Sequence, residues 1–199
     1  MSDYEFKERD FEHPSALFAL EDLLKSLIGG PLLYYPYFKT FGLNGNEKVL
    51  DFGCGGGAGS RCLANLLNEN GHLTCVDVSH YWMRKARKRL EKYPNVECKS
   101  GDIRKLDIPD SSFDVISVIH VIHDISPAER QDIVKTLSRK LKVGGTLFIR
   151  ERIEKAHGMP VVEIRALLSD ADLKEIEHKE TKSEYMGKYQ KTGRGRISL

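Results

Sequence analysis

A chain of 199 residues, 40% hydrophobic and 30% charged, has the size and composition of one globular domain, which at this length buries roughly 70% of its unfolded surface. Its 31 basic and 29 acidic residues leave a net charge of only +2, so no whole-molecule field argues for nucleic acid or an anionic membrane. The amino terminus is charged and no apolar run approaches the ~20 residues of a membrane span, so a cytoplasmic protein is expected; Cys54, Cys62, Cys75 and Cys98 contain no C-x-x-C pair and read as reduced structural thiols.

In chain order, Pro14-Ser15-Ala16 opens an amphipathic segment that Gly29-Gly30 ends, and Pro31 begins an aromatic-rich piece that Pro36 should kink or interrupt, giving two short helices. A strand is predicted over Lys48 to Phe52, then a glycine turn, then a helix through Leu67 that stops near Asn70-Gly71. A strand over His72 to Val78 leads to Ser79, the expected cap of a helix through Leu90, and Pro94-Asn95 precedes a strand over Val96 to Ser100. Phe113 to Ile119 reads as the fourth strand, and Ser126-Pro127-Ala128-Glu129 starts a helix with an N1 proline and capping-box spacing. That helix is predicted to end at Gly144-Gly145 before a fifth strand, Thr146 to Ile149. A helix from Pro160 to Leu168, a sixth strand from Leu173 to Thr181 and a weaker one near Tyr185 to Gln190 complete the pattern. Strands alternating with helices imply right-handed crossovers and a doubly wound, mostly parallel sheet covered on both faces. No linker or repeat marks a second domain: residues 1–46 read as N-terminal helices and a lid or acceptor region, 47–191 as the cofactor-binding core and 192–199 as a tail.

The run Val49-Leu50-Asp51-Phe52-Gly53-Cys54-Gly55-Gly56-Gly57-Ala58 joins a buried-strand pattern to a turn nearly free of side chains, which lets a ligand approach backbone N–H groups. Ligands in such sheets bind beyond the carboxyl ends of the strands. Asp77, at the second strand's end, suits two ribose hydroxyls, as in NAD or any adenosine cofactor. Asp51 separates these cofactors: a carboxylate beside the loop opposes a pyrophosphate and favours a ligand carrying an ammonium group, such as the methionyl part of S-adenosylmethionine.

These motifs together resemble the class I S-adenosylmethionine-dependent methyltransferases. Val49 to Gly57 is similar to the family's first motif, and Val76-Asp77-Val78-Ser79 to its acidic ribose-binding strand. Gly101-Asp102-Ile103 resembles the segment that places an acidic side chain at the adenine amino group, with Ile103 against the ring. Phe113 to His123, Leu141 to Leu147, and Glu163 to Leu173 resemble the later strand and helix motifs. The resemblance implies a Rossmann-like seven-stranded sheet whose antiparallel last strand is inserted beside the sixth. It also implies that Asp51, Gly53, Gly55, Gly57, Asp77, Val78, Asp102, Ile103 and His120 hold S-adenosyl-L-methionine, and that a small molecule is the methyl acceptor. Asp172 stands where a glycine is usual, and Ile119 where many members are polar.

His123 is the candidate for proton transfer. His120 and His123, even with Asp124, make no metal site without further ligands, and no metal is expected. Tyr34, Tyr35 and Tyr37 suit either an acceptor pocket or packing, and one of Arg150-Glu151-Arg152 is placed to meet substrate. The tail Lys188 to Arg196 mixes basic and aromatic residues, but no RNA module accompanies it, so nucleic acid is not favoured. Two rival readings remain. An NAD(P)-dependent oxidoreductase would use Gly53-x-Gly55-x-x-Ala58 and Asp77 but leaves Asp51 without a role; a catalytically silent module would bind cofactor or partner without turnover.

Overall fold

The computed structural model describes residues 34–193 together with residues 4, 6, 9–15, 20 and 32. The first expected N-terminal helix, with Gly29-Gly30 and Pro31, and the tail at Arg194 to Arg196 lie outside the described residues. The chain divides into two compact units, Arg9–Leu106, and Met1–Glu8 with Asp107–Leu199.

The first of these units carries β1 (Lys48–Phe52), β2 (His72–Asp77) and β3 (Val96–Ser100), parallel and in the order β3-β2-β1. β1 buries its last four residues and β2 buries Leu73 to Val76, the near-continuous apolar runs of parallel strands covered on both faces. Around them stand α1 (Tyr35–Lys39), α2 (Ala58–Ala64) and α3 (His80–Leu90). α3 buries Trp82, Met83, Ala86 and Leu90, one stripe at helical spacing, and leaves its charges in solvent. The α-helix starts only at Tyr35, with Pro36 in its first turn, where a missing N–H costs nothing, so the proline marks a helix start rather than a kink. Tyr34 stacks on Phe38 at 6.3 Å and Tyr37 meets Phe41 edge-on at 5.2 Å, so both tyrosines pack in an aromatic cluster.

The second unit carries β4 (Phe113–Ile119), β5 (Leu141–Arg152), β6 (Leu173–Glu180) and β7 (Glu184–Lys191) in the order β4-β5-β7-β6. β4 and β5 are parallel, and β7 runs antiparallel to both β5 and β6, so the weak last element is a full strand between them. The fold is therefore the expected Rossmann-like α/β fold, a seven-stranded sheet, mostly parallel, with an antiparallel last strand. The helices are α4 (Pro127–Lys140) and α5 (Val161–Ser169), with a 3-10 turn at Ile122–Asp124. α4 stops at Lys140, and Gly144-Gly145 lie inside β5 rather than ending the helix. Gly144 has φ +80°, beside the pairing shift between Phe113 and Val115, so these glycines shape an irregular strand. Ser126 makes no side-chain cap; its carbonyl instead accepts the Glu129 and Arg130 N–H groups. Asp172 adopts φ +61°, the left-handed conformation that explains why glycine suits this position. Among the described residues no helix is long and apolar enough to cross a membrane.

β6 and β7 are joined by side chains as well as by their ladder. Glu175 Oε2 accepts the hydroxyls of Tyr185 at 2.8 Å and Tyr189 at 2.9 Å, and Arg165 Nε donates to the same oxygen at 2.9 Å. Desolvation works to raise the Glu175 carboxyl, but these donors outweigh it and hold the group at about 2 against an ordinary 4.5. A folded-state value below the unfolded one gives stability that is complete above the unfolded value and is lost as pH falls. Acid titration of the melting temperature should therefore show a loss between about pH 4.5 and 2 that Glu175→Gln abolishes.

Candidate functional site

In the unit Arg9–Leu106 the ends of β1 and β2 and the glycine turn form one bonded arrangement. Gly53 and Cys54 donate their N–H groups to Val76 O at 2.8 and 3.1 Å, fastening the turn to β2. Asp77 completes the tie: Oδ2 accepts the Gly55 N–H at 2.8 Å and Oδ1 the Ser79 N–H at 2.9 Å. Desolvation raises the Asp77 carboxyl above its usual range, against the lowering effect of those two bonds. Each carboxylate oxygen has two acceptor sites, so one lone pair on each remains for a ligand hydroxyl. Asp51, only 5% exposed, accepts the Ser60 hydroxyl of α2 at 2.6 Å, which places a buried anion under the loop.

The glycines serve different ends. Gly53, Gly55 and Gly57 all have positive φ, at 72°, 52° and 80°. A Cβ at Gly55 would enter open space, whereas one at Gly57 would stand 3.2 Å from the Ala86 backbone of α3. Gly57 thus answers to helix packing and Gly55 leaves room above the loop.

Ser79 caps α3 by accepting the Trp82 N–H at 3.2 Å, and its hydroxyl donates to Phe11 O at 2.9 Å. Glu12 accepts the His80 and Tyr81 N–H groups, so the segment around residues 11–12 lies over the start of α3 just past Asp77. Val78 is 59% exposed, while Ile103 is buried at 1%. Asp102 turns its carboxylate to Arg104, with Nε at 2.9 and 3.0 Å and Nη2 at 2.7 Å, and this pairing holds its carboxyl below the usual range. All four cysteines are free. Although its hydrogen bond with Cys75 lowers it, burial and the Asp77 and Asp51 charges push the Cys54 thiol up to about 11, so it stays protonated at neutral pH.

The second unit holds His120 and His123. His120, at φ +56°, places Nε2 2.8 Å from Glu184 Oε1; Glu184 also pairs with Arg150, at 2.7 Å to Nη2. Burial lowers the His120 imidazole, against the neighbouring carboxylates. His123 sits on the 3-10 turn with Nδ1 2.5 Å from Glu151 Oε2. Glu151 is 0% exposed, and its Oε1 also accepts the Val121 and Ile122 N–H groups at 2.8 and 2.6 Å. Arg130 clamps the same turn from α4, donating to the His123 and Ile125 carbonyls at 3.2 and 3.0 Å and to Glu163 at 2.6 Å. Of the Arg150-Glu151-Arg152 run, Glu151 is thus a buried support for His123. Sequence reasoning passed over His157, in the loop after β5; its ring meets that of His123 edge-on with centroids 4.7 Å apart. A signal existed: β4 and β5 are parallel neighbours with Ile119 opposite Arg150, so the loops that follow them emerge side by side.

Residues 49–145 match the model of a methyltransferase domain family. Among curated relatives, the chain is 34% identical over 106 residues to a 37.1 kDa protein of transposon TN4556 from Streptomyces fradiae, covering 53% of this chain and 30% of that protein. It is 28% identical over 138 residues to the ubiquinone/menaquinone biosynthesis C-methyltransferase UbiE of Pseudomonas savastanoi, covering 65% of this chain and 52% of the relative. The chain therefore spans about half or less of these relatives' length. A SAM-dependent methyltransferase from Aquifex aeolicus shares the fold, with TM-score 0.75 and 24% identity over 90% of this chain and 99% of that one. The glycine turn, the acid at the end of β2 and the strand order thus occur in a chain whose residues 49–145 match a methyltransferase domain and whose fold is shared with a SAM-dependent methyltransferase.

Proposed function

We propose that the protein binds S-adenosylmethionine and transfers its methyl group to a small molecule by in-line displacement at the sulfonium. The observation that carries this reading is Asp77, which ties Gly55 to Ser79 and keeps a lone pair on each oxygen for the ribose hydroxyls. Asp51 takes the ammonium group, the space above Gly53 and Gly55 receives the methionyl chain, Gly57 fixes the turn below it, Val78 and Ile103 border the adenosine, and Asp102 meets the adenine amino group beside Arg104. His120 is assigned to the cofactor from its place at the end of β4.

The sulfonium already makes the methyl electrophilic, so alignment supplies most of the rate, up to ~7–11 kcal/mol, against a typical 10²–10⁴-fold for a base. Where the acceptor must lose a proton, His123 is the base. With Nδ1–H directed at Glu151, Nε2 carries the lone pair. Oxygen, nitrogen and sulfur nucleophiles fit this chemistry, and the UbiE resemblance adds an electron-rich ring carbon.

The test is incubation of the full chain with methyl-labelled S-adenosylmethionine and a panel of phenols, amines, thiols and a demethylated quinol. Label should pass to one acceptor class with equimolar release of S-adenosylhomocysteine. Cofactor binding without transfer to any acceptor would favour the silent module.

A further inference from the structure

We infer that the second unit contains a divalent transition-metal site formed by His123, Asp124 and His157, with zinc as the ion best suited to it. The ligand atoms of these three residues all lie within 4.8 Å of one another. The individual spacings are informative: His123 Nε2 is 3.5 Å from Asp124 Oδ2, and His157 Nε2 is 3.8 Å from Asp124 Oδ1. These are at or beyond the limit of a hydrogen bond. The first suits two ligands of one ion, because donors about 2.0–2.1 Å from a tetrahedral zinc stand about 3.3–3.5 Å apart, and the second, to the other carboxylate oxygen, is slightly longer.

The surroundings are those a ligating histidine needs. A metal-bound imidazole usually gives its other N–H to a carboxylate, which fixes the tautomer and the ring plane. Glu151 does this for His123 at 2.5 Å, itself held by two backbone N–H groups, and the tautomer it selects puts the lone pair on Nε2, the atom facing Asp124. Arg130 fixes the backbone of the turn carrying both residues. His120 stands apart from this set because its Nε2 meets Glu184.

Two imidazoles and one carboxylate form a nitrogen and oxygen set suited to zinc, iron(II), cobalt(II) or manganese(II) rather than to calcium or magnesium. The His157 side chain is 27% exposed, so the site opens to solvent on that side, and three protein ligands leave a position for water or for an oxygen, nitrogen or sulfur atom of a small molecule. Bringing ligand atoms that now lie within 4.8 Å of one another to zinc spacing calls for a shift of about 1 Å. An ion takes the same Nε2 lone pair that would otherwise receive a proton, so ligation and proton acceptance compete at one atom.

The test is calorimetric titration of the chelator-treated full chain with zinc chloride, paired with cobalt(II) absorption spectra. One zinc per chain is expected, with a cobalt spectrum of nitrogen and oxygen ligation and no thiolate charge-transfer band. His157→Ala and Asp124→Asn should each weaken binding by about 10–100-fold or more, the range seen even for outer-shell changes, while thermal melting without metal stays close to that of the parent. Absence of zinc binding by the parent chain, undiminished binding in both variants, or a thiolate band indicating the cysteines would overturn the inference. These outcomes leave cofactor binding untouched, since the residues assigned to it are not among the ligands, and the base role of His123 is read separately on the metal-free chain.

Discussion

Glu151→Ala should cost about 3–5 kcal/mol of folding stability, read as a lowered urea midpoint with little change in slope. The figure follows from what the carboxylate satisfies. Its oxygens accept the Val121 and Ile122 N–H groups and face His123 Nδ1 in a region closed to solvent, and a buried donor left without an acceptor costs about 1–3 kcal/mol. Glu151→Gln retains an acceptor oxygen for the two N–H groups and should recover more than half of the loss. It brings an NH2 group to a carboxylate position, however, and so disturbs the His123 tautomer. A stability loss under 1 kcal/mol in the alanine variant would mean that the turn after β4 is not held by this residue.

Asp77→Ala should weaken S-adenosylmethionine binding by about 10–100-fold, the worth of about 1.5–3 kcal/mol for hydrogen bonds to a charged group. The carboxylate acts twice in this account, shaping the loop through Gly55 and Ser79 and receiving the ribose. Asp77→Asn separates these parts. It keeps one oxygen for an N–H group but turns two donors towards the second N–H and the ribose, so it should preserve the melting temperature better than alanine while still losing most of the affinity. Equal affinity in parent and asparagine variant, measured by calorimetry, would remove the ribose role.

The glycine turn, Asp51, Asp77 and the first four strands could be read from residues alone because local chemistry and final structure agree there. Buried parallel strands are apolar throughout, and a turn needing positive φ at Gly53, Gly55 and Gly57 has glycine at each. Elsewhere one local signal had two physical uses. Gly144-Gly145 look like a helix stop, yet they bend β5, which starts at Leu141. Ser126 has the spacing of a capping box but caps through its carbonyl. Glu151, flanked by two arginines, resembles surface charge, although it shares a strand face with the buried Leu147 and Ile149, and this period of two marks it as inward. The second-unit cluster was hardest to see. His157 lies 34 positions beyond His123, and only the side-by-side β4 and β5 bring the two within reach.

The central claim is that the Asp77-tied glycine turn is a seat for S-adenosylmethionine, and calorimetric titration of the full chain with S-adenosylhomocysteine and NAD tests it most directly. The account predicts one S-adenosylhomocysteine per chain, weakened about 10–100-fold by Asp77→Asn, and no heat from NAD. Binding of NAD in its place, or of neither ligand by the folded parent chain, would contradict it.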